Sequence, residues 1–293
     1  MPSPDQPVLQ PLAGTPGGEL SEGPLWHPDE QCLTWVDINA GLVHRWWSGT
    51  GQTDTIEVGE LVAAAIPRAA GGLLLALAGE VATSDPPGTL GRRTPVGTGV
   101  PGNRLNDAKC DPAGRLYVGS MAKSPGAAAL YRVDADRQVR TVLTGTTISN
   151  GLGWSPDGSR MYFNDTGANS TYVFDYDVAS GAMENQRVLC RLGSGEGHPD
   201  GLTVDADGCV WVACYGGGAV RRFTPDGDPD TVLRLPVSNA TSCTFGGPGL
   251  DELFVTTAYE GLSDAERAEQ PDAGRVFRCR PGVTGLPVVP FAG

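Results

Sequence analysis

The chain has 293 residues, a formal net charge of −13 and a pI near 4.6. An acidic balance of this size argues against nucleic acid and anionic membrane surfaces as partners, because both need a basic face. With 42 Gly, 24 Pro and only 19% charged residues, the composition favours many short strands joined by turns over helices.

The first residues, Met-Pro-Ser-Pro-Asp-Gln-Pro, have neither a basic nor an apolar signal-peptide region, and no apolar run nears the ~18–20 residues of a membrane span. A cytoplasmic location is expected. Residues 1–18 form a segment that pairs with the last repeat in this reading. From Glu22 onward the chain reads as hairpins of one kind. An apolar approach leads to a polar residue, a strand, a tight turn, and a second strand carrying a bulky residue. Those bulky residues are Trp35, Leu75, Tyr117, Tyr162, Trp211 and Phe254, spaced 40, 42, 45, 49 and 43 residues apart. About 40–50 residues is the span of a four-stranded propeller blade. The fold class expected is therefore all-β, a six-bladed β-propeller of four-stranded antiparallel blades with a channel-centred site, forming one domain over residues 1–293.

Third strands follow at residues 41–46, 129–134, 171–176, 218–223 and 274–279, alternating apolar and polar. Residues 86–101, rich in Gly, Pro and Thr, read as an irregular loop between blades. Ser263 to Glu269 is the one helical stretch, capped by Ser263. Asp157-Gly158, Asp207-Gly208 and Pro225-Asp226-Gly227 read as hairpin turns. The seven cysteines form an odd set with no Cys-x-x-Cys pair and are expected to be reduced, mostly in strands. His27 and His44 read as structural, and His198, though two residues before Asp200, is expected neither to line the pocket nor to be a ligand.

The chemistry follows from the register. Counting back from each bulky residue by 11 to 13 positions gives Glu22, Ala63, Asn106, Asn150, Asp200 and Ser242. In a propeller these stand at one level around the axis. Taken singly, Asn150-Gly151 and Asp200-Gly201 could be turn formers; their shared register argues for a site. Carboxylates and amides converging on one axis need a cation, and hard divalent ions prefer such oxygen donors. Glu22, Asn150 and Asp200 together carry a charge matching one divalent cation. Ca²⁺ is favoured, with Mn²⁺ and Mg²⁺ compatible. Zn²⁺ or Fe²⁺ is also compatible, though zinc prefers His and Cys.

Several segments carry a family resemblance. Ser21-Glu22-Gly23-Pro24-Leu25-Trp26, Arg104-Leu105-Asn106-Asp107, Ser149-Asn150-Gly151-Leu152, Pro199-Asp200-Gly201 and residues 241–247 resemble, in order, the signature segments of the senescence marker protein/regucalcin/gluconolactonase family. The resemblance implies a propeller that hydrolyses sugar lactones with one divalent metal. It implies Glu22, Asn150 and Asp200 as metal ligands, with Arg104 and Asn106 binding substrate. Met121-Ala122 is followed by Lys123, where some members carry an acid, so Lys123 is expected to bear on substrate preference. Asp200 is the expected general base. The partner expected is a small sugar lactone, with no obligate protein partner. A phosphotriester hydrolase on the same scaffold and a non-enzymatic calcium-binding propeller remain alternatives.

Overall fold

The computed structural model describes residues 7–97 and 99–293; Thr98, inside the stretch read as a loop, lies outside them. Among the described residues the strands form six sheets of four antiparallel strands each. The bulky residues that set the repeat all fall on second strands and are almost completely buried. Each inner strand packs against the inner strands of both neighbouring blades, so the ring closes. Residues 86–101 are not wholly irregular. Leu90–Pro95 forms the outer strand of blade two, paired with Glu80–Ser84. Its exposed, charged side chains conceal the alternation that marks a strand, as edge strands often do.

Six apolar clusters hold the ring, one at each junction between blades. Tyr117 packs with Trp154, Met161 and Phe174 between blades three and four. Trp211 meets Phe245 edge-on, with ring centroids 5.8 Å apart, between blades five and six. Trp26 stacks on Phe254 where blade six meets blade one. Burial at junctions explains why the repeat is legible: each blade has two apolar faces and covers neither by itself.

The last blade is composite. Gln10–Pro11 pairs with Phe277–Cys279, so a strand from the beginning of the chain completes a sheet made from its end. The helix is short, Asp264–Glu269, and Ser263 forms a reciprocal capping box with Glu266. No helix among the described residues is long and apolar enough to cross a membrane.

After blade six the chain runs beneath the propeller. Thr284 and Gly285 hydrogen-bond to blades five and six through Ala206 and Leu250. Phe291 and Ala292 then bond to Pro67, Ala69 and Gly114 of blades two and three. Between these anchors, Leu286–Val289 lies across the lower end of the channel. There it bounds a cavity of about 220 Å³ with Leu25, Lys109, Trp154, Thr203 and Thr244. Phe291 is 0% exposed within the cluster joining blades two and three. Phe291→Ala is therefore expected to cost about 3–5 kcal/mol, measured as a lowered midpoint in urea unfolding. A loss well under 1 kcal/mol would mean that the tail is not part of the core.

Candidate functional site

The upper mouth is built by a defect repeated around the ring. In every blade the inner strand slips by one residue against its neighbour. The slips lie between Glu22 and Leu25, Val62 and Ala64, Leu105 and Ala108, Asn150 and Leu152, Pro199 and Leu202, and Ala240 and Ser242. A bulge bends the strand and re-aims the side chains around it. Glu22, Asn106, Asn150 and Asp200 all sit at or beside these slips. They lie within strands, so the turn-former reading of Asn150-Gly151 and Asp200-Gly201 does not hold.

The glycines have a different reason. A Cβ on Gly151 would stand 2.7 Å from the carbonyl oxygen of Asp200, and one on Gly201 would stand 2.7 Å from Cα of Ser242. Neighbouring inner strands approach so closely at the mouth that only glycine fits. Chain entry is fixed as well. The Asp37 carboxylate accepts from the N–H groups of Glu19 (2.9 Å) and Leu20 (3.2 Å), just before Glu22. Asp165 does the same for Thr147 and Ile148, just before Asn150.

A relay of hydrogen bonds settles the orientation of the amides. Arg104 Nη1 donates to Asn106 Oδ1 at 2.8 Å, and Asn106 Nδ2 donates to Asn150 Oδ1 at 2.8 Å. Asn150 Nδ2 donates to Thr166 Oγ1 at 2.9 Å, whose hydroxyl donates to the Pro199 carbonyl at 2.6 Å. Arginine can only donate and a carbonyl can only accept, so each group between them has one role. Asn164 Nδ2, in turn, donates to the carbonyl oxygen of Asp200 at 2.6 Å.

Two carboxyl groups meet inside this frame. Glu22 and Asp200 are each 7% exposed, and the charge of Glu22 bears on Asp200. Burial, with the charge of nearby Asp107, pushes Glu22 up to about 8. The Gly23 N–H, which donates to Glu22 Oε2 at 2.7 Å, and Arg104 oppose the shift. Asp200 moves the same way, through burial and then through Glu22 and Asp107. Asp107 is raised by burial too, against the pull of Lys109. Arg104 is lowered by burial against Glu260, Glu22 and Asp200, but a guanidinium stays charged.

The structure thus brings Glu22, Arg104, Asn106, Asn150 and Asp200 to one place. Lys123 stands apart. It is exposed on the rim, two residues beyond Met121, which pairs with Arg104, and makes no ion pair with the group. His198 is exposed at the edge of a shallow depression. Three further residues were passed over in reading the sequence. Asp107 and Lys109 gave a signal, being charged residues in an inner strand. Glu260 gave none, since it lies in an irregular insertion. The Nζ of Lys109 donates to the Leu202 carbonyl, in the inner strand of blade five, at 2.8 Å.

The donor set suits a hard cation. Glu22 and Asp200 offer carboxylate oxygens, Asn150 offers Oδ1, and no thiol or imidazole competes. Among the described residues no three His, Cys, Asp or Glu side chains form a cation cluster, so this set depends on the amide as its third donor. The cavity at the opposite end of the channel has no carboxylate in its walls.

Comparison with known proteins agrees with this architecture. Residues 20–259 match the model of the SMP-30/Gluconolactonase/LRE-like region. The chain belongs to this family. Among its relatives, regucalcin of Danio rerio is 36% identical over 284 residues, covering 94% of this chain and 95% of the relative. Pentonolactonase XacC of Haloferax volcanii is 38% identical over 279 residues, covering 92% and 93%. The crystal structure of a calcium-binding protein, regucalcin, from Agrobacterium tumefaciens superposes with a TM-score of 0.90. It is 27% identical, with 97% of this chain and 98% of that one covered.

Two outcomes are expected of the mouth in this family member. Gly201→Ala forces a methyl group against the Ser242 backbone and should cost about 1–3 kcal/mol by overpacking, read from the thermal midpoint; an unchanged midpoint would mean that the inner strands part easily. In protein stripped of divalent cations, the folded state retains a proton on Glu22 that the unfolded chain gives up above about 4.5. Unfolding free energy should therefore fall as pH rises from 4.5 towards about 8, with Asp200 acting in the same sense. Glu22→Gln should flatten this slope in a urea series, whereas stability rising across the window would contradict it.

Proposed function

We propose that this protein hydrolyses a sugar lactone to the corresponding aldonic acid with the help of one divalent cation. The observation that carries the reading is the approach of Glu22 and Asp200, buried beside Asn150 at a mouth that also presents Arg104. The name of the Haloferax relative, a pentonolactonase, supports the substrate class.

Glu22, Asn150 and Asp200 would hold the cation, with Ca²⁺ favoured and Mn²⁺, Mg²⁺, Zn²⁺ or Fe²⁺ able to replace it. Such an ion, when bound, polarises the ester carbonyl and lowers the pKa of a water. Asp200 accepts the proton of the attacking water as its oxygen bonds to the carbonyl carbon. The ring C–O bond then breaks, and that proton passes from Asp200 to the departing ring oxygen. Arg104 and Asn106 hold sugar hydroxyls, and Arg104 also stabilises the oxyanion as it develops. Thr166 and Asn106 keep the Asn150 amide oriented. Lys123, from the rim, is assigned an outer contact with the substrate.

A second reading has one observation in its favour. The Agrobacterium relative is described as a calcium-binding protein, so the mouth would hold calcium without turnover. The two readings separate on a panel of five- and six-membered aldonolactones, assayed with metal-stripped protein and with each cation restored. We expect hydrolysis that is lost on chelation and recovered on adding cation. Asp200→Asn should lower kcat by about 10²–10⁴-fold, the range of general-base catalysis, and Asn150→Ala should weaken both cation binding and turnover. Unaltered turnover in both variants would exclude this site, and a wild type inert towards every lactone would favour the binding reading.

A further inference from the structure

The segment that carries Asp200 is gripped from outside its own sheet. The slip between Pro199 and Leu202 interrupts its pairing with Val210–Tyr215, and side chains of other blades reach the carbonyl groups around that slip. Thr166 Oγ1 donates to the Pro199 carbonyl at 2.6 Å, Asn164 Nδ2 to the Asp200 carbonyl at 2.6 Å, and Lys109 Nζ to the Leu202 carbonyl at 2.8 Å. Lys109 comes from blade three, Asn164 and Thr166 from blade four.

Asn164 has the most exacting place among them. It lies directly opposite Asn150 in the ladder of blade four. One residue is thus paired with Asn150 and bonded to the backbone of Asp200. Its amide can point only one way. Nδ2 serves the Asp200 carbonyl, and Thr171 Oγ1, on the next strand, donates to Oδ1 at 2.7 Å. A flipped amide would set Oδ1 against a carbonyl oxygen. Asn164 and Thr171 are both almost wholly buried. Gly151 closes the remaining space, since a Cβ there would stand 2.5 Å from Asn164 Nδ2 and 2.7 Å from the Asp200 carbonyl oxygen. Blades four and five meet here with no room for a methyl group. A second tie runs alongside, from Asn150 through Thr166 to Pro199.

We propose that Asn164, steadied by Thr171, is a positioning residue that fixes the span from Asn150 to Asp200 and so selects the cation by size. The assignment rests on the reading above that these two residues hold a divalent cation. Metal–oxygen distances are about 2.0–2.1 Å around Mg²⁺ and about 2.3–2.6 Å around Ca²⁺, so a rigid set of donors suits one ion better than the other. A strand free to shift by that small difference accepts both. Hydrogen bonds behind a ligand hold it in place, and their loss weakens metal binding.

The test is calorimetric titration of Ca²⁺ and Mg²⁺ into metal-stripped wild type, Asn164→Ala, Thr171→Val and Thr171→Ser, with lactone turnover measured in parallel. Tyr131→Phe is the control, because it removes a bond from Tyr131 Oη to the Gly97 carbonyl, 2.7 Å long, between blades two and three. Circular dichroism checks each fold. In Asn164→Ala the Ca²⁺ affinity should fall about 10–100-fold, the range for residues that orient a ligand. The Mg²⁺ affinity should fall by less, so the preference narrows. Thr171→Val should act in the same direction by a smaller factor, and it carries the comparison should Asn164→Ala not fold. Thr171→Ser, which retains the hydroxyl, should match wild type. With Ca²⁺ present, kcat should fall in Asn164→Ala while KM stays nearly constant, because Arg104 and Asn106 belong to blade three. Tyr131→Phe should lower the thermal midpoint and leave both cation affinities unchanged. Unaltered affinities in Asn164→Ala, equal losses for the two ions, or an equal effect in Tyr131→Phe overturn the assignment. If no lactone is hydrolysed but Asn164→Ala narrows the cation preference, the hydrolytic reading fails and the positioning role stands. If lactones are hydrolysed and Asn164→Ala keeps the wild-type preference, the positioning role fails alone. A wild type that binds neither ion overturns both.

Discussion

Two acidic side chains, Glu22 and Asp200, are held largely buried at the upper mouth, and much of its framework keeps them there. Like charges so placed repel, and burial removes the solvent that would screen them. The pair persists because its backbone has no freedom to separate: a bulge fixes each strand, glycines let the strands close in, and Asp37 and Asn164 tie the flanking backbone. A proton or a cation is the natural complement of such a pair. The fold thus stores an electrostatic demand at one point, at the expense of local stability.

The two ends of the channel differ in kind. Above, carboxylates gather beside a hydrogen-bonded relay that runs from the Arg104 guanidinium through the amides of Asn106 and Asn150. Below, side chains such as Leu25 and Trp154 meet the C-terminal tail, with Lys109 the charged group in the wall. Lys109 lies between these regions, and its ammonium partly offsets the acidity of Asp107 and Glu22. The acidic surface of the whole molecule is therefore not what defines the site; the local arrangement of a few buried charges is.

The repeat was readable because a physical necessity repeats with it. Every blade must bury a large residue at its junction, so Trp35, Leu75, Tyr117, Tyr162, Trp211 and Phe254 recur at near-constant spacing, and six blades follow from counting. The convergence of Glu22, Asn106, Asn150 and Asp200 was legible for the same reason. Other features left no such trace. The strand Leu90–Pro95 is an exposed edge and need not alternate. Gly151 and Gly201 looked like turn residues because sequence does not show which backbone comes close to them. Glu260 depends on an insertion without periodicity, and its partners Asn39, Tyr215 and Asn239 are distant in sequence.

The tail beneath the propeller bears on traffic. Leu286–Val289 crosses the lower opening and is pinned on both sides of it, by Thr284 and Gly285 at one end and Phe291 and Ala292 at the other. A tunnel obstructed at its floor behaves as a well. Whatever enters at the upper mouth must depart by the same door, so an outgoing molecule and its successor compete for one passage.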